Sequence, residues 1–246
     1  MIISRQTELR RLDELLAALA DGHGGALVVH GDAGIGKTTL LHALTERAGE
    51  AVTVVSACGT ETEAELPFAA LADLLGPVLC HLDVLPGAQA AALKSALALE
   101  PPRPGDRLAV CVAALAVLRA AARHRPVLAV VDDVHWADAS SRECIEYVAH
   151  RADGPLAVVL AARDPLYPTE RVRLPELAVG PVDDAAAAEL LRRRDPGLAP
   201  SAAAVITQAA AGNPLALVEL PGLLTDGQRS GGAALDLPLA PGGRLE

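Results

Sequence analysis

The stretch Gly31-Asp32-Ala33-Gly34-Ile35-Gly36-Lys37-Thr38 decides the fold class of this chain. It matches the pattern G-x-x-x-x-G-K-[ST], in which a glycine-rich turn joins a strand to a helix. Residues 26–30 before it are predicted to form a short buried strand, and residues 37–48 after it a helix. Glycines let the backbone turn tightly, so that successive N–H groups point at phosphate oxygens, and the helix adds its positive end. The stretch therefore predicts a nucleotide-binding phosphate loop, with a flexible glycine-rich turn as the alternative.

Lysine usage supports this interpretation of the loop. The chain has only two lysines, Lys37 and Lys94, against 19 arginines, which indicates that position 37 needs a compact point charge. We expect Lys37 to reach the β- and γ-phosphates and the Thr38 hydroxyl to bind Mg²⁺. The predicted nucleotide-binding residues of the loop are Gly31, Asp32, Ala33, Gly34, Ile35, Gly36, Lys37, Thr38 and Thr39.

Two carboxylates follow the strand predicted at residues 127–131. Ligands of α/β proteins bind at the carboxyl ends of parallel strands, so we expect Asp132 to bind Mg²⁺ through its water shell. Asp133 is placed to polarise an attacking water. A solvated turn is the alternative for this pair, and the phosphate loop elsewhere in the chain makes that alternative the weaker one. Arg163 closes the strand predicted at residues 156–162, where it either reaches a γ-phosphate or faces solvent.

The segment after the acidic pair is predicted to be structural. His135 is interpreted as packing of the loop rather than as a catalytic group, and Asp138 as a helix cap rather than a ligand. A helix is predicted from about Asp138 or Ser140 to residue 151, with Ser140 and Glu143 at capping-box positions.

Strands alternate with helices up to about residue 181, which predicts an α/β P-loop NTPase sheet that is parallel and flanked by helices. Because 95 positions separate Lys37 from Asp132, we expect the layout in which another strand lies between these motifs in sequence, and a kinase of small molecules is less favoured. The predicted strands are residues 26–30, 51–57, 127–131 and 156–162, with a weaker fifth at 172–177.

The remainder of the chain has a helical pattern and then a Gly- and Pro-rich end. The predicted organisation is a P-loop NTPase core at residues 1–181, a helical subdomain at 182–224 and a linker at 225–246. Within the helical part, Gly212 is expected to end one helix, Asn213 to cap the next, and Pro214 to be its first residue.

Composition limits the function classes. The 246 residues are 51% hydrophobic and 2% aromatic, so Ala, Leu and Val must build the core. A formal charge of −10 argues against a surface for nucleic acid or anionic membrane on this segment. The four cysteines lack metal-ligand spacing, the longest apolar run (108–118) is too short to span a bilayer, and the N-terminus lacks a signal-peptide pattern. We therefore expect a cytoplasmic chain with free thiols.

Five motifs occur in the order typical of a known family. They are IISRQTEL (2–9), GDAGIGKT (31–38), VVDDVHWADASS (130–141), AARD (161–164) and AGNPLALVELP (211–221). Together they resemble the ATPase domain of the large ATP-binding LuxR-type transcriptional regulators, in the STAND branch of the AAA-like P-loop NTPases. The resemblance covers nearly the whole chain.

This resemblance implies an ATP/ADP and Mg²⁺ site in which Arg5 and Glu8 lie near the adenine, Pro214 packs against the base and Arg163 senses the γ-phosphate. One departure is Ser4, where the family usually has glycine; a serine fits if φ is negative there. Family members also continue through a winged helix and sensor repeats to a DNA-binding helix-turn-helix, and residues 237–246 resemble the entry to that winged helix.

The implied partners are the nucleotide and those C-terminal sensor and DNA-binding domains. Neither direct nucleic-acid contact nor membrane contact is expected from this segment, and nucleotide-dependent self-association stays open.

Three functions are compatible with these features. The first is a regulatory ATP switch with slow hydrolysis, in which Mg·ATP and ADP stabilise different arrangements of the chain. The second is a stand-alone P-loop ATPase or kinase acting on a small molecule or a protein partner, and the third is an ATP-binding scaffold that never hydrolyses. The sequence lacks the guanine-specific Asn-Lys-x-Asp motif, which favours ATP by absence alone.

Overall fold

The computed structural model describes residues 3–101 and 107–233. Within these ranges, five strands alternate with α-helices along the chain. The strands are β1 (Gly25–Gly31), β2 (Thr53–Cys58), β3 (Val127–Asp132), β4 (Leu156–Arg163) and β5 (Glu176–Ala178). The α-helices are α1 (Gln6–Ala20), α2 (Lys37–Ala48), α3 (Ala69–Leu75), α4 (Gly87–Ala96), α5 (Arg107–Ala122), α6 (Ala139–Ala149), α7 (Thr169–Val172), α8 (Asp184–Arg194), α9 (Pro200–Ala210), α10 (Pro214–Glu219) and α11 (Asp226–Arg229).

The five strands form one parallel sheet with the order β2-β3-β4-β1-β5. This confirms the predicted fold class. Strand β2 separates the phosphate loop from the acidic pair in sequence, as predicted, while β4 lies between β3 and β1 in the sheet. Because β1, β3 and β4 are parallel, their carboxyl ends lie at the same edge of the sheet.

Continuous apolar runs explain the central strands. All residues of β3 before Asp132 and all residues of β4 before Arg163 are buried, as expected for strands covered on both faces. Helix α5 packs against them with small side chains, including Ala113 and Ala114, which are fully buried. The core is made largely of Ala, Leu and Val, as the composition predicts.

Several element boundaries differ from the predictions. Strand β2 begins at Thr53 rather than at residue 51, because Gly49–Ala51 form a 3-10 turn. The weak fifth strand was placed too early: Thr169–Val172 is the helical turn α7, and β5 is only three residues long. The reason is that a left-handed residue, Arg173, ends α7, and pairing with β1 begins where Val28 N–H donates to Pro175 O at 2.8 Å. The helical pattern of residues 67–79 predicts one helix, whereas the structure has α3 followed by 3-10 turns.

A further difference concerns the start of α6. The helix begins at Ala139, and its N-cap is Asp138, whose Oδ1 accepts from Ser141 N–H at 2.9 Å. Ser140 lies inside the helix, so the capping box with Glu143 is wrong and the alternative start at Asp138 is confirmed.

The described residues divide into two compact units. The sheet unit comprises residues 7–30, 40–101 and 107–178, and the loop unit comprises residues 3–6, 31–39 and 179–233. The loop unit has its own apolar core, which includes Val182, Leu191, Ile206 and Leu217. The predicted division at residues 181/182 into two folding domains stays a prediction.

The end of the chain is described only in part. Within the predicted linker 225–246, residues 226–229 form α11, and Arg229 Nη2 lies 2.5 Å from Asp195 Oδ2. Residues 234–246, with the predicted entry to a winged helix, lie outside the described residues. Across residues 3–101 and 107–233, no helix has the length and apolar character needed to cross a membrane.

Candidate functional site

The phosphate loop leaves β1 at Gly31 and enters α2 at Lys37. Two of its glycines adopt backbone conformations that L side chains rarely take, with φ of 72° at Gly34 and 105° at Gly36. At Gly34 an added Cβ would also lie 2.7 Å from Leu215 Cβ and 2.9 Å from Asn213 Oδ1. Glycine at this position therefore serves both the turn and a close approach of α10.

Lys37 folds over the start of its own loop. Its ammonium donates to Gly31 O at 2.9 Å and to Asp32 O at 2.8 Å, and the residue is 7% exposed. The charge is thus held at the loop by backbone oxygens, within the segment where a phosphate is predicted to bind. Thr38 and Thr39 follow it in the first turn of α2 and are exposed.

The next three carbonyls of the loop accept hydrogen bonds from residues remote in sequence. The pairs are Asn213 Nδ2 to Ala33 O at 2.8 Å, Leu215 N–H to Gly34 O at 3.2 Å, and Arg5 Nη2 to Ile35 O at 2.9 Å. With the two carbonyls bound by Lys37, five consecutive carbonyls from position 31 to position 35 are held by donors of the loop unit.

Holding the carbonyls determines where the amides point. In a planar trans peptide, the C=O and the following N–H point in opposite directions. The N–H of Gly34 therefore faces away from Asn213 and that of Gly36 away from Arg5, whereas the N–H of Ile35 makes a long 3.4 Å bond to the Asp32 carbonyl. Backbone amides of a glycine-rich turn can bind an anion in such a place, so the loop fits a phosphate group.

Arg5 has a position that the sequence did not predict. Its guanidinium donates to Gly180 O at 2.7 Å as well as to Ile35 O, and the residue is 6% exposed. It therefore joins the N-terminal segment, residue 180 and the phosphate loop. Its placement near an adenine stays a prediction, as does that of Glu8, which lies in the first turn of α1.

Ser4 takes a left-handed conformation with φ of 57°. The condition under which a serine fits, a negative φ, is therefore not met, and the chain keeps the glycine-like conformation at this position. The Ser4 hydroxyl donates to Asp183 Oδ2 at 3.1 Å, and Asp183 Oδ1 caps α8 by accepting from Ala186 N–H.

Asn213 combines two functions at the start of α10. It is the N-cap, with Oδ1 accepting from Leu215 and Ala216 N–H, and Pro214 is the first helical residue, as predicted. Its Nδ2 makes the additional bond to Ala33 O. Asparagine carries amide donors beside the capping oxygen, whereas an aspartate cap has only acceptors. Pro214 is half-buried, and its contact with a base stays a prediction.

In the sheet unit, the acidic pair ends β3 beside β2. Asp132 pairs with Cys58 in register, its Oδ1 accepts from Asp133 N–H at 2.9 Å, and its carbonyl accepts from Gly59 N–H at 2.9 Å. Asp133 has φ of 44°, a left-handed conformation that costs energy for a non-glycine residue and that is enriched at functional sites. Its side chain is 41% exposed.

Buried His135 connects the acidic turn to the end of β4. Its Nδ1 accepts from Arg163 N–H at 3.4 Å and lies 3.9 Å from Asp133 Oδ1, and its side chain is 2% exposed. The structure thus brings Asp133, His135 and Arg163 together at the carboxyl edge of the sheet. The position of His135 agrees with its interpretation as loop packing.

Asp138 anchors the other end of the acidic turn. Besides capping α6, its Oδ1 accepts from Phe68 N–H at 2.9 Å, and the residue is 3% exposed. Ser141 Oγ accepts from Leu71 N–H at 2.9 Å. These bonds confirm Asp138 as a helix cap and tie α6 to α3.

The edge beside the acidic pair is electronegative. Burial raises the pKa of the Cys58 thiol, and the negative charges of Asp132, Asp133 and Glu63 raise it further. An accumulation of carboxylate charge fits a cation better than an anion.

Comparison with known proteins identifies the family. A model described as AAA ATPase domain matches residues 2–160. The chain belongs to the AAA ATPase domain family. An uncharacterized protein of Rhizobium meliloti (strain 1021) is 29% identical to this AAA ATPase domain over 202 residues, which cover 69% of this chain and 19% of that protein.

Solved structures with the same fold include origin-recognition proteins. The Drosophila ORC structure bound to DNA has a TM-score of 0.60 at 16% identity. The match includes 90% of this chain and 55% of that chain. The Aeropyrum pernix ORC1 protein in complex with DNA has a TM-score of 0.56 at 19% identity, with coverage of 90% and 59%. At these identities the likeness shows the fold alone, and this AAA ATPase domain spans less than two thirds of each of these chains.

Sequence reasoning missed the donors that hold the loop of this AAA ATPase domain. Asn213 has a sufficient local explanation as a helix cap, and Arg5 was assigned to the adenine by resemblance. The side-chain amide of Asn213 could have indicated a second partner, because capping alone needs only an acceptor and leaves the NH₂ donors unused. The sequence predicted that His135 packs in the loop, but it did not predict the hydrogen bond from Arg163 N–H to this ring.

Proposed function

We propose that this chain binds ATP and ADP with Mg²⁺ at the phosphate loop, hydrolyses ATP slowly and acts as the regulatory switch domain of a LuxR-type transcriptional regulator. The observation that carries the proposal is the set of five held carbonyls, which fixes the peptides of the loop, with the Lys37 ammonium at the loop. Membership of the AAA ATPase domain family supports nucleotide binding.

The chain's own residues have distinct roles in this proposal. The loop amides bind phosphate oxygens. The Lys37 ammonium leaves the Gly31 and Asp32 carbonyls and donates to phosphate oxygens instead. Thr38 and Asp132 would hold Mg²⁺, since hydroxyl and carboxylate oxygens are ligands that this ion prefers. When bound, Mg²⁺ supplies neutralisation of the charge on the phosphate oxygens.

Hydrolysis is assigned to the acidic turn. Asp133, whose backbone is left-handed, orients and polarises the attacking water. Arg163 is assigned to the charge that develops on the γ-phosphate. His135 Nδ1 accepts from Arg163 N–H and lies 3.9 Å from Asp133 Oδ1. These contacts support a fixed spacing between Asp133 and Arg163.

The regulatory role rests on the motifs at residues 130–141 and 211–221, which resemble those of LuxR-type regulators. Because the chain covers only 19% of its curated relative, the partner domains for sensing and DNA binding belong to the proposal as well. The switch requires that Mg·ATP and ADP favour different arrangements, and it can act only through the difference in affinity.

Calorimetric titration of Mg·ADP and of a non-hydrolysable ATP analogue tests the proposal. Wild type should bind with micromolar Kd, and Lys37→Ala should weaken binding at least about 100-fold, because a charge-assisted contact to phosphate is lost. The other lysine offers a matched control: Lys94 lies on α4, 3.5 Å from Glu100, and Lys94→Ala should bind like wild type. Equal losses in both variants, or no binding by wild type, would overturn nucleotide binding at this loop.

The switch itself is tested by the difference between the two nucleotides. We expect Kd values that differ at least about threefold and different patterns of limited proteolysis in the two complexes. The same affinity together with the same proteolysis pattern would contradict a switch and would leave an ATP-binding scaffold or a simple ATPase.

A further inference from the structure

We propose that Asn213 and Arg5 are positioning residues of the phosphate loop, which hold the Ala33 and Ile35 carbonyls so that the following amides face the phosphate. The proposal rests on nucleotide binding at this loop as proposed above. It makes the first turn of α10 part of the phosphate-binding machinery.

Asn213 bonds to the loop and to its own helix with different atoms of one amide. Nδ2 donates to Ala33 O at 2.8 Å, while Oδ1 accepts from Leu215 N–H at 3.0 Å and Ala216 N–H at 3.3 Å. Because the capping bonds fix the plane of the amide, its donor edge is fixed toward the loop. Leu215 N–H also lies 3.2 Å from Gly34 O, so α10 contacts two successive peptides of the loop.

Arg5 holds the next peptide from a different segment. One guanidinium nitrogen donates to Ile35 O at 2.9 Å and the other to Gly180 O at 2.7 Å. The planar guanidinium presents its donors in a rigid fork, so the Ile35 carbonyl has a fixed direction relative to residue 180. A lysine at this position has a single ammonium and cannot reproduce the fork.

The close approach at Gly34 indicates that this contact is built into the loop. An added Cβ would lie within 3.0 Å of atoms in both Leu215 and Asn213. The loop and the start of α10 therefore pack closely enough to require glycine, and the hydrogen bond from Asn213 is made in a tightly packed place.

The expected effect on binding follows from pre-organisation. When a carbonyl loses its donor, its peptide can rotate, and the fraction of molecules with the N–H directed at the phosphate falls. The apparent Kd is inversely proportional to the fraction of molecules that keep this orientation. Linkage then requires that a bound phosphate stabilises the contact between the loop and α10 by the same factor.

Two substitutions separate this role from helix capping. Asn213→Asp and Asn213→Ser both keep an oxygen that caps α10 and remove the amide donor to Ala33 O, and the serine variant adds no charge. Thr225→Ala is the matched control, because Thr225 caps α11 and its side chain bonds to Gln228. Arg5→Lys tests the second donor.

Inorganic pyrophosphate with Mg²⁺ is the probe, measured by displacement of a fluorescent ADP analogue. Pyrophosphate has neither a base nor a ribose, so its Kd reports on the phosphate loop and does not depend on any contact of Pro214 with a base. We expect the Kd of pyrophosphate to rise about three- to tenfold in both Asn213 variants and in Arg5→Lys, the loss typical of one hydrogen bond. Thr225→Ala should bind like wild type even if its melting temperature falls.

The outcomes distinguish the two proposals. If wild type and Lys37→Ala bind pyrophosphate equally, nucleotide binding at this loop is wrong and the positioning role falls with it. If wild type binds, Lys37→Ala does not, and both Asn213 variants bind like wild type, the positioning role is overturned while the binding function stands. A loss in Thr225→Ala equal to that in Asn213→Ser would also overturn it, because cap stability would then explain the effect.

Discussion

The phosphate loop and the acidic turn at residues 132–138 both follow a strand of the sheet, and they are held by different kinds of groups: donor side chains at the loop, acceptor side chains at the turn. Polar donors remote in sequence, Arg5 and Asn213, hold the carbonyls of the phosphate loop. Hydrogen bonds to the side chains of Asp138 and His135 hold the acidic turn, and close backbone packing at Gly59 adds a steric requirement there. Loss of a donor should therefore change ligand affinity at the loop, whereas added volume at Gly59 should lower stability at the turn.

The largest expected effect is that of Gly59→Ala. A Cβ at this position would lie 2.3 Å from Asp133 O and 2.6 Å from Ala137 N, both backbone atoms that cannot move independently. We expect the free energy of unfolding to fall by about 3 kcal/mol. Urea denaturation measures it, with Gly87→Ala as the control, since a Cβ on Gly87 in α4 meets no atom within 4 Å. The packing account fails if the two variants are equally stable.

An effect of similar size, on the rate of ATP hydrolysis rather than on stability, is expected for Asp133→Asn. Asparagine accepts the left-handed backbone that Asp133 adopts, so the fold should be unchanged. The kcat for phosphate release should fall about 100-fold, the loss typical of a general base, while the Kd for Mg·ADP stays within about twofold. If turnover is unchanged, Asp133 does not polarise the attacking water, and a loss of ADP binding would show that the turn has been disturbed.

The smallest effect is expected at the N-terminal segment that carries Arg5. Ser4→Gly relieves a left-handed conformation, which costs about 1 kcal/mol for a residue with a Cβ, and loses one exposed bond to Asp183. We expect a gain of about 0.5–1 kcal/mol in urea denaturation, and a loss for Ser4→Ala, which keeps the strain without the bond. If Ser4→Gly is no more stable than wild type, the left-handed conformation of Ser4 does not lower the free energy of unfolding, and this prediction is wrong.

The sequence predicts the parts of this molecule that depend on local pattern. Strands β3 and β4 are continuous apolar runs, and their predicted ends agree with the structure within one residue. The glycines of the phosphate loop likewise signal its backbone conformation. The weak strand near β5 was misplaced because only three residues pair there, next to a proline.

The donors to the loop could not be predicted in the same way. Arg5 and Asn213 lie 30 and 180 positions from their carbonyl partners, and the chain fold alone brings them together. Asn213 also satisfies a local rule as a helix cap, so nothing in its neighbourhood required a second partner. The left-handed Ser4 was missed because its conformation follows from tertiary contacts rather than from serine's preference.

Backbone amide resonances of the phosphate loop test the central claim most directly. Two-dimensional NMR of the labelled protein should show the amide protons of Gly34 and Gly36 moving downfield as Mg·ADP is added, because their N–H groups bind phosphate oxygens. The same resonances should stay in place in Lys37→Ala at equal nucleotide concentration. Saturable binding that leaves both glycine amides unmoved in wild type would contradict the account, because the nucleotide would then bind somewhere other than this loop.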